Sequence, residues 1–119
     1  MTTETTPHEA GPAVPCCGTH VPDESAEVRQ EAARLATAFK ALSDETRLRI
    51  FRRLAASETP LCECEIVPAF GLSQSTISYH LKVLREAGLV EVERRGVWGY
   101  YRARPRALIG LVAELAAMA

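Results

Sequence analysis

From position 28 the apolar residues recur with helical spacing. Val28, Ala32, Leu35, Phe39 and Leu42 stand at i, i+4, i+7, i+11 and i+14, a stripe along one face of a helix that starts near Asp23. Ser43 has N-cap chemistry, and Asp44 and Glu45 supply an acidic first turn. They predict a second helix running to about Ala56 that buries Leu48, Phe51 and Leu54. Thr59-Pro60 is a further start signal, a cap followed by proline at the first helical position. It predicts a short helix from 60 to about 69, its last turn weakened by Pro68. Gly71-Leu72-Ser73 reads as a turn, with Ser73 capping a helix over 74–87 whose buried stripe is Ile77, Leu81 and Leu84 and which Gly88 ends. Residues 89–94 and 97–102 are strand-like and joined at Arg95-Gly96 as a hairpin. Pro105 opens a last helix with Leu108, Leu111, Val112, Leu115 and Met118 on one face. The predicted order is α-α-α-α-β-β-α, a mainly α fold with one hairpin and no internal repeat.

Composition divides the chain. Residues 1–22 place Pro7, Pro12, Pro15 and Pro22 among Thr, Ala and Gly, which predicts a flexible tail carrying the Cys16-Cys17 pair, ahead of one domain over 23–119. With 119 residues the core is thin, so sharing apolar surface in an oligomer is expected. The net charge of −1 hides an asymmetry: residues 1–31 carry six acids and one base, and the remainder 13 bases and nine acids. Between Lys82 and Arg106 seven bases face three acids, a region suited to phosphates. No apolar run has the length of a membrane span, and the N-terminus is not basic-then-apolar like a secretory signal. The expectation is a cytoplasmic protein, in which four cysteines are metal ligands or redox thiols rather than structural disulfides.

A short helix, a tight turn and a second helix make a helix-turn-helix. Opposite Ile77, Leu81 and Leu84 the second helix carries Ser75, Ser78, Tyr79 and Lys82, with Gln74 at its start. These are hydrogen-bonding groups and one cation, the chemistry that base edges and phosphates require, placed toward the end of a recognition helix that meets bases. Alone, such a face is an ordinary solvated surface. The hairpin decides otherwise: Arg94 and Arg95 at its tip suit a wing that touches backbone phosphate or the minor groove. Together these features predict a winged helix-turn-helix that binds double-stranded DNA. His80 is read as packed at the edge of the apolar face, and Trp98, Tyr100 and Tyr101 as hairpin packing.

The blocks FKALSDETRLRIFRRL, LSQSTISYHLKVLREAGLV and RRGVWGYYR, in that order over about residues 35–104, resemble the ArsR/SmtB family of metalloregulatory repressors. The resemblance implies a homodimeric winged-helix repressor that leaves its operator when a toxic metal or metalloid binds. LCECE falls where members that sense at the third helix carry Cys-x-Cys, so Cys62 and Cys64 match ligand positions. Val67 stands where arsenic-responsive members add a third cysteine, and Cys16-Cys17 is similar to the N-terminal pair of another arsenic-sensing group. Residues 105–119 lack the ligands of the zinc site that some members build on the final helix, so no resident metal is expected.

Thiolates suit soft ions. As(III) or Sb(III) takes three, Cd(II) or Pb(II) all four, and zinc is compatible with four sulfurs. A lone cysteine here would read as a small buried hydrophobe. A Cys-x-Cys next to two acids, Glu63 and Glu65, does not, and two cysteines in a polar tail have no core to join. Residues i and i+2 of a regular helix do not face each other, so joint use of Cys62 and Cys64 predicts that the turn deforms and moves the recognition helix. A helix start is also expected to lower the thiol pKa. The tail is expected to bring Cys16 and Cys17 to Cys62 and Cys64 of a partner subunit. The same cysteines leave open a repressor that senses oxidants by forming a disulfide. A thiol enzyme would want Cys-x-x-Cys on a βαβ pattern or a phosphate loop; neither is present, so no enzyme is predicted.

Overall fold

A computed structural model describes residues 21–119; Cys16, Cys17 and nearly all of the expected tail lie outside the described residues. Five helices and a small sheet follow one another as α1 (Ala26–Leu42), α2 (Glu45–Ala56), β1 (Leu61–Cys62), α3 (Glu63–Phe70), α4 (Gln74–Glu86), β2 (Val90–Arg95), β3 (Trp98–Ala103) and α5 (Pro105–Ala117). The helices, the hairpin and their order agree with the sequence pattern; the two-residue strand β1 is an addition.

The core gathers Leu35, Ala38 and Ala41 of α1, Ile50, Phe51 and Leu54 of α2, Ile66 of α3, and Ile77, Leu81 and Leu84 of α4. Leu89, Val90, Tyr101, Ala103 and Leu111 close it from the hairpin side. The expected stripe of α4 is fully enclosed, each side chain stabilising the fold by about 1.5–3 kcal/mol. Leu48 is not in the core: Ile50 takes the inward position of α2, and Leu48 is 42% exposed. Val28 and Ala32 of the α1 stripe also face outward, as do Ile109, Val112, Leu115 and Met118 of α5. Arg34 of α1 donates to Glu114 of α5 at 2.8 Å, tying these two helices together.

Three helix starts differ from expectation, each for a local reason. Helix α1 begins at Ala26 and not near Asp23, because Ser25 caps it by accepting the Val28 N–H at 3.1 Å. The Ser43 hydroxyl donates to the Lys40 carbonyl at 2.8 Å and closes α1, which leaves Asp44 as the cap of α2, accepting the Arg47 N–H at 3.0 Å. That bond to the backbone of Arg47 holds the Asp44 carboxyl below its ordinary pKa. Thr59 caps nothing; its N–H and carbonyl are engaged by Ser57 in a tight turn. Leu61 and Cys62 then pair antiparallel with Tyr101 and Tyr100, so helical geometry begins only at Glu63. Ser73 caps α4 as its sequence requires, its Oγ accepting the Thr76 N–H at 3.2 Å.

The sheet order is β1-β3-β2, antiparallel throughout. Arg95 pairs with Trp98, so the wing turn is Gly96-Val97, one residue later than expected. Gly96 has φ +64°, the left-handed backbone that glycine adopts without steric cost.

Candidate nucleic-acid interface and thiol site

Helix α3, the Gly71 turn and helix α4 form the helix-turn-helix. Gly71, with φ +65°, closes α3, its N–H reaching the Val67 carbonyl at 3.2 Å. Gln74, Ser75, Tyr79 and Lys82 are exposed on α4, clear of its buried stripe. The Ser75 hydroxyl lies 3.2 Å from that of Ser73, within the cap. Ser78 is different. It is half-buried, and its hydroxyl donates to the Glu63 carboxylate of α3. His80 is half-buried too: Arg47, which has no acceptor, donates to its Nδ1 at 3.3 Å, and the Arg47 Nε–H reaches the Ala41 carbonyl at 2.7 Å. This agrees with reading His80 as packed, and it fastens α4 to the α1–α2 corner.

The two wing arginines separate onto opposite faces because strand side chains alternate. Arg94 pairs with Gly99, and its guanidinium occupies the space above that glycine, where an added Cβ would lie 2.9 Å from Nη1. Arg95 lies on the other face, its guanidinium 4.3 Å from the centre of the Tyr100 ring and 3.3 Å from Glu93. Tyr101 is in the core, and Tyr100 is half-buried beneath Arg95. Trp98 is 49% exposed near the wing tip, so of the three aromatic residues it alone offers a large free surface. A further basic surface escaped sequence reasoning. Arg49, Arg52 and Arg53 of α2 line a groove with Ala69 and Phe70, and the Arg49 guanidinium lies 5.0 Å from the Phe70 ring centre.

The thiol site sits at the junction of β1 and α3. Cys62 is buried and is the N-cap of α3: its Sγ accepts the Cys64 N–H at 3.3 Å. Its own N–H donates to the Glu65 carboxylate at 2.8 Å, so cysteine stands in a capping box where serine or threonine is usual. The spacing C-x-x-E was the available signal for this. Cys64, the second residue of α3, is exposed. The two cysteines do not both lie within one regular helix, because Cys62 has extended backbone geometry and lies ahead of it. Its side chain folds over the first turn, where Sγ accepts the Cys64 N–H. The neighbouring Cys62 side chain, with smaller effects of burial and of Glu65, raises the Cys64 pKa. The expected lowering by the helix start is therefore overturned at Cys64 by the thiol next to it. Pro68 lacks the N–H that would bond the Cys64 carbonyl, so the turn is weakly held, as its sequence implied. Among the described residues no three His, Cys, Asp or Glu side chains converge on a point that would hold a metal ion. Two thiols fit part of a soft-ion site; a third ligand has to come from elsewhere.

Residues 44–92, from the cap of α2 into the wing, match the model of the bacterial regulatory protein arsR family. An arsenical resistance operon repressor of Bacillus subtilis is 40% identical over 76 residues, 64% of this chain and 71% of the relative. The chain belongs to the ArsR family. The arsenic resistance transcriptional regulator ArsR1 of Pseudomonas putida is 51% identical over 67 residues, and the match spans 56% of this chain and 52% of that relative. The homodimeric winged helix-turn-helix DNA-binding domain of Mb0332 from Mycobacterium bovis, a possible ArsR-family regulator, superposes with a TM-score of 0.63. That likeness has 31% identity and covers 79% of this chain and 91% of the other. Family and architecture thus describe a winged helix-turn-helix regulator and not an enzyme. No described helix is long and apolar enough to cross a membrane.

Proposed function

We propose that this ArsR-family member is a homodimeric transcriptional repressor, acting in the cytoplasm, which releases its operator when As(III) or Sb(III) binds cysteine thiolates. The observation that carries the reading is the placing of Cys62 and Cys64 together at the cap of α3, the helix that leads into the recognition helix, with Cys62 Sγ accepting the Cys64 N–H. Cys16 or Cys17 supplies the third thiolate. The names of the B. subtilis and P. putida relatives, both arsenic-resistance regulators, support a metalloid inducer. On the DNA side, Gln74, Ser75, Tyr79 and Lys82 address the major groove, while Arg94 and Arg95 serve the wing. Ser78, bonded to Glu63, supports α4 from within unless that bond opens. The exposed apolar faces of α1 and α5 supply the dimer contact.

The test is operator release measured by fluorescence anisotropy and titrated separately with arsenite, antimonite, cadmium, lead and peroxide. Release by arsenite or antimonite at the lowest concentration is expected. Cadmium or lead acting at far lower concentration would replace the three-thiolate reading with a four-thiolate one. Release by peroxide alone, reversed by a reductant, would make the protein a redox sensor. On the same duplex, Arg95→Ala should weaken specific and non-specific DNA alike and reduce the slope of log affinity against log salt by about one unit, as for one lost phosphate contact.

A further inference from the structure

The residue between the two sensing thiols is itself bonded to the recognition helix. The Glu63 carboxylate accepts the Ser78 hydroxyl, a side chain-to-side chain link between the first turn of α3 and the middle of α4. Both residues are half-buried, so the bond is partly shielded from competing water. Glu63 is also close enough to Tyr101 that, after burial, its charge is the next cause raising the tyrosine pKa. Its carboxylate therefore points inward, between α3, α4 and the sheet, while Cys64 on the same turn is exposed.

We propose that Glu63 is the positioning residue through which the thiol site acts on the recognition helix; this deepens the thiolate-sensing reading above and rests on it. The buried Cys62 Sγ is occupied in accepting the Cys64 N–H. Joining both sulfurs to a third thiolate around one ion draws Cys62 Sγ outward and ends that bond. Cap and first turn then rearrange together, because the capping box also engages the Cys62 N–H and Glu65. Glu63 lies within that turn, so its carboxylate is carried away from Ser78. Helix α4 loses a charge-assisted anchor at its centre, and Ser78, one residue before the exposed Tyr79, changes its surroundings. The ligand thus acts by its different affinity for the linked and unlinked arrangements.

The experiment uses the full-length protein and a labelled operator duplex, and measures DNA affinity with and without saturating arsenite. Arsenite uptake is followed by the ultraviolet absorption of sulfur-to-arsenic bonds. The variants are Glu63→Ala, Ser78→Ala, the double variant and Glu63→Gln, whose amide oxygen can still accept the hydroxyl. The parent ratio of affinities, about 5–150-fold for a typical allosteric coupling, should fall by roughly fivefold or more in either alanine variant. It should fall no further in the double variant, because both remove the same link. Glu63→Gln should retain most of the ratio, and all four should bind arsenite with parental stoichiometry. An unchanged ratio in Glu63→Ala with full arsenite uptake overturns the proposal, as does additivity in the double variant. A parent that takes up arsenite and keeps its operator overturns the sensing reading and this link with it; the first two outcomes leave the sensing reading standing.

Discussion

Cys64→Ser should leave operator affinity within about twofold of the parent and abolish release by arsenite, bringing the ratio of the two affinities from the 5–150-fold of a typical coupling to about one. Cys64 is exposed and gives nothing to the core, and serine preserves the backbone N–H that bonds Cys62. What disappears is a soft thiolate, which a hydroxyl does not replace toward a thiophilic ion. Cys62 is the less informative position. It is buried in the junction of β1 and α3, so its replacement disturbs cap, packing and ligand together. Replacing Cys16 and Cys17 together should weaken the response more than it weakens DNA binding. Anisotropy titrations of the three proteins decide this. A Cys64→Ser protein released at parental arsenite concentrations would remove that thiol from the site, and a tail variant that responds like the parent would confine sensing to Cys62 and Cys64.

Leu115→Asp should convert the proposed dimer to monomer and cost operator affinity by roughly thirtyfold or more, the effect of a single interface hot spot of at least about 2 kcal/mol. In one chain Leu115 is 49% exposed, next to Val112 at 52% and Met118 at 55%, while Leu111 holds α5 to the core at 6%. A charge at 115 therefore meets water in the monomer and is buried only if a second subunit covers this face. Two recognition helices joined as a dimer address half-sites about 34–36 Å apart, and a monomer loses that advantage. Sedimentation velocity gives the oligomeric state and far-ultraviolet circular dichroism the fold. A folded Leu115→Asp protein that stays dimeric at the parental concentration would show that α5 does not form the contact.

Long periodic segments were legible in the sequence. The inward stripe of α4 and the hairpin follow from spacing alone, because burial on one face imposes it. The start of α3 was not legible, since it depends on a partner distant in sequence: Tyr100 and Tyr101 claim the backbone of Cys62 and Leu61 for the sheet, and the proline signal at position 60 is overruled. Leu48 and Val28 show the same limit from the other side, as a stripe marks which residues are apolar and not whether one chain can cover them. At the site, the cysteine positions and the polar face of α4 were read from residue types and order. The C-x-x-E spacing and the alternation of strand side chains were signals for the Cys62 cap and for the separation of Arg94 from Arg95, whereas the Glu63–Ser78 bond required three dimensions. That bond depends on how α3 and α4 pack at their junction.

Strand β1 is only two residues long, yet it joins Cys62 to the same sheet as the wing, through pairing with Tyr100. Helix α3, which carries α4, and the wing consequently share one root. Under the proposed repressor reading, motion at that root would reach both contact surfaces together, and the protein would let go of a duplex as a single body.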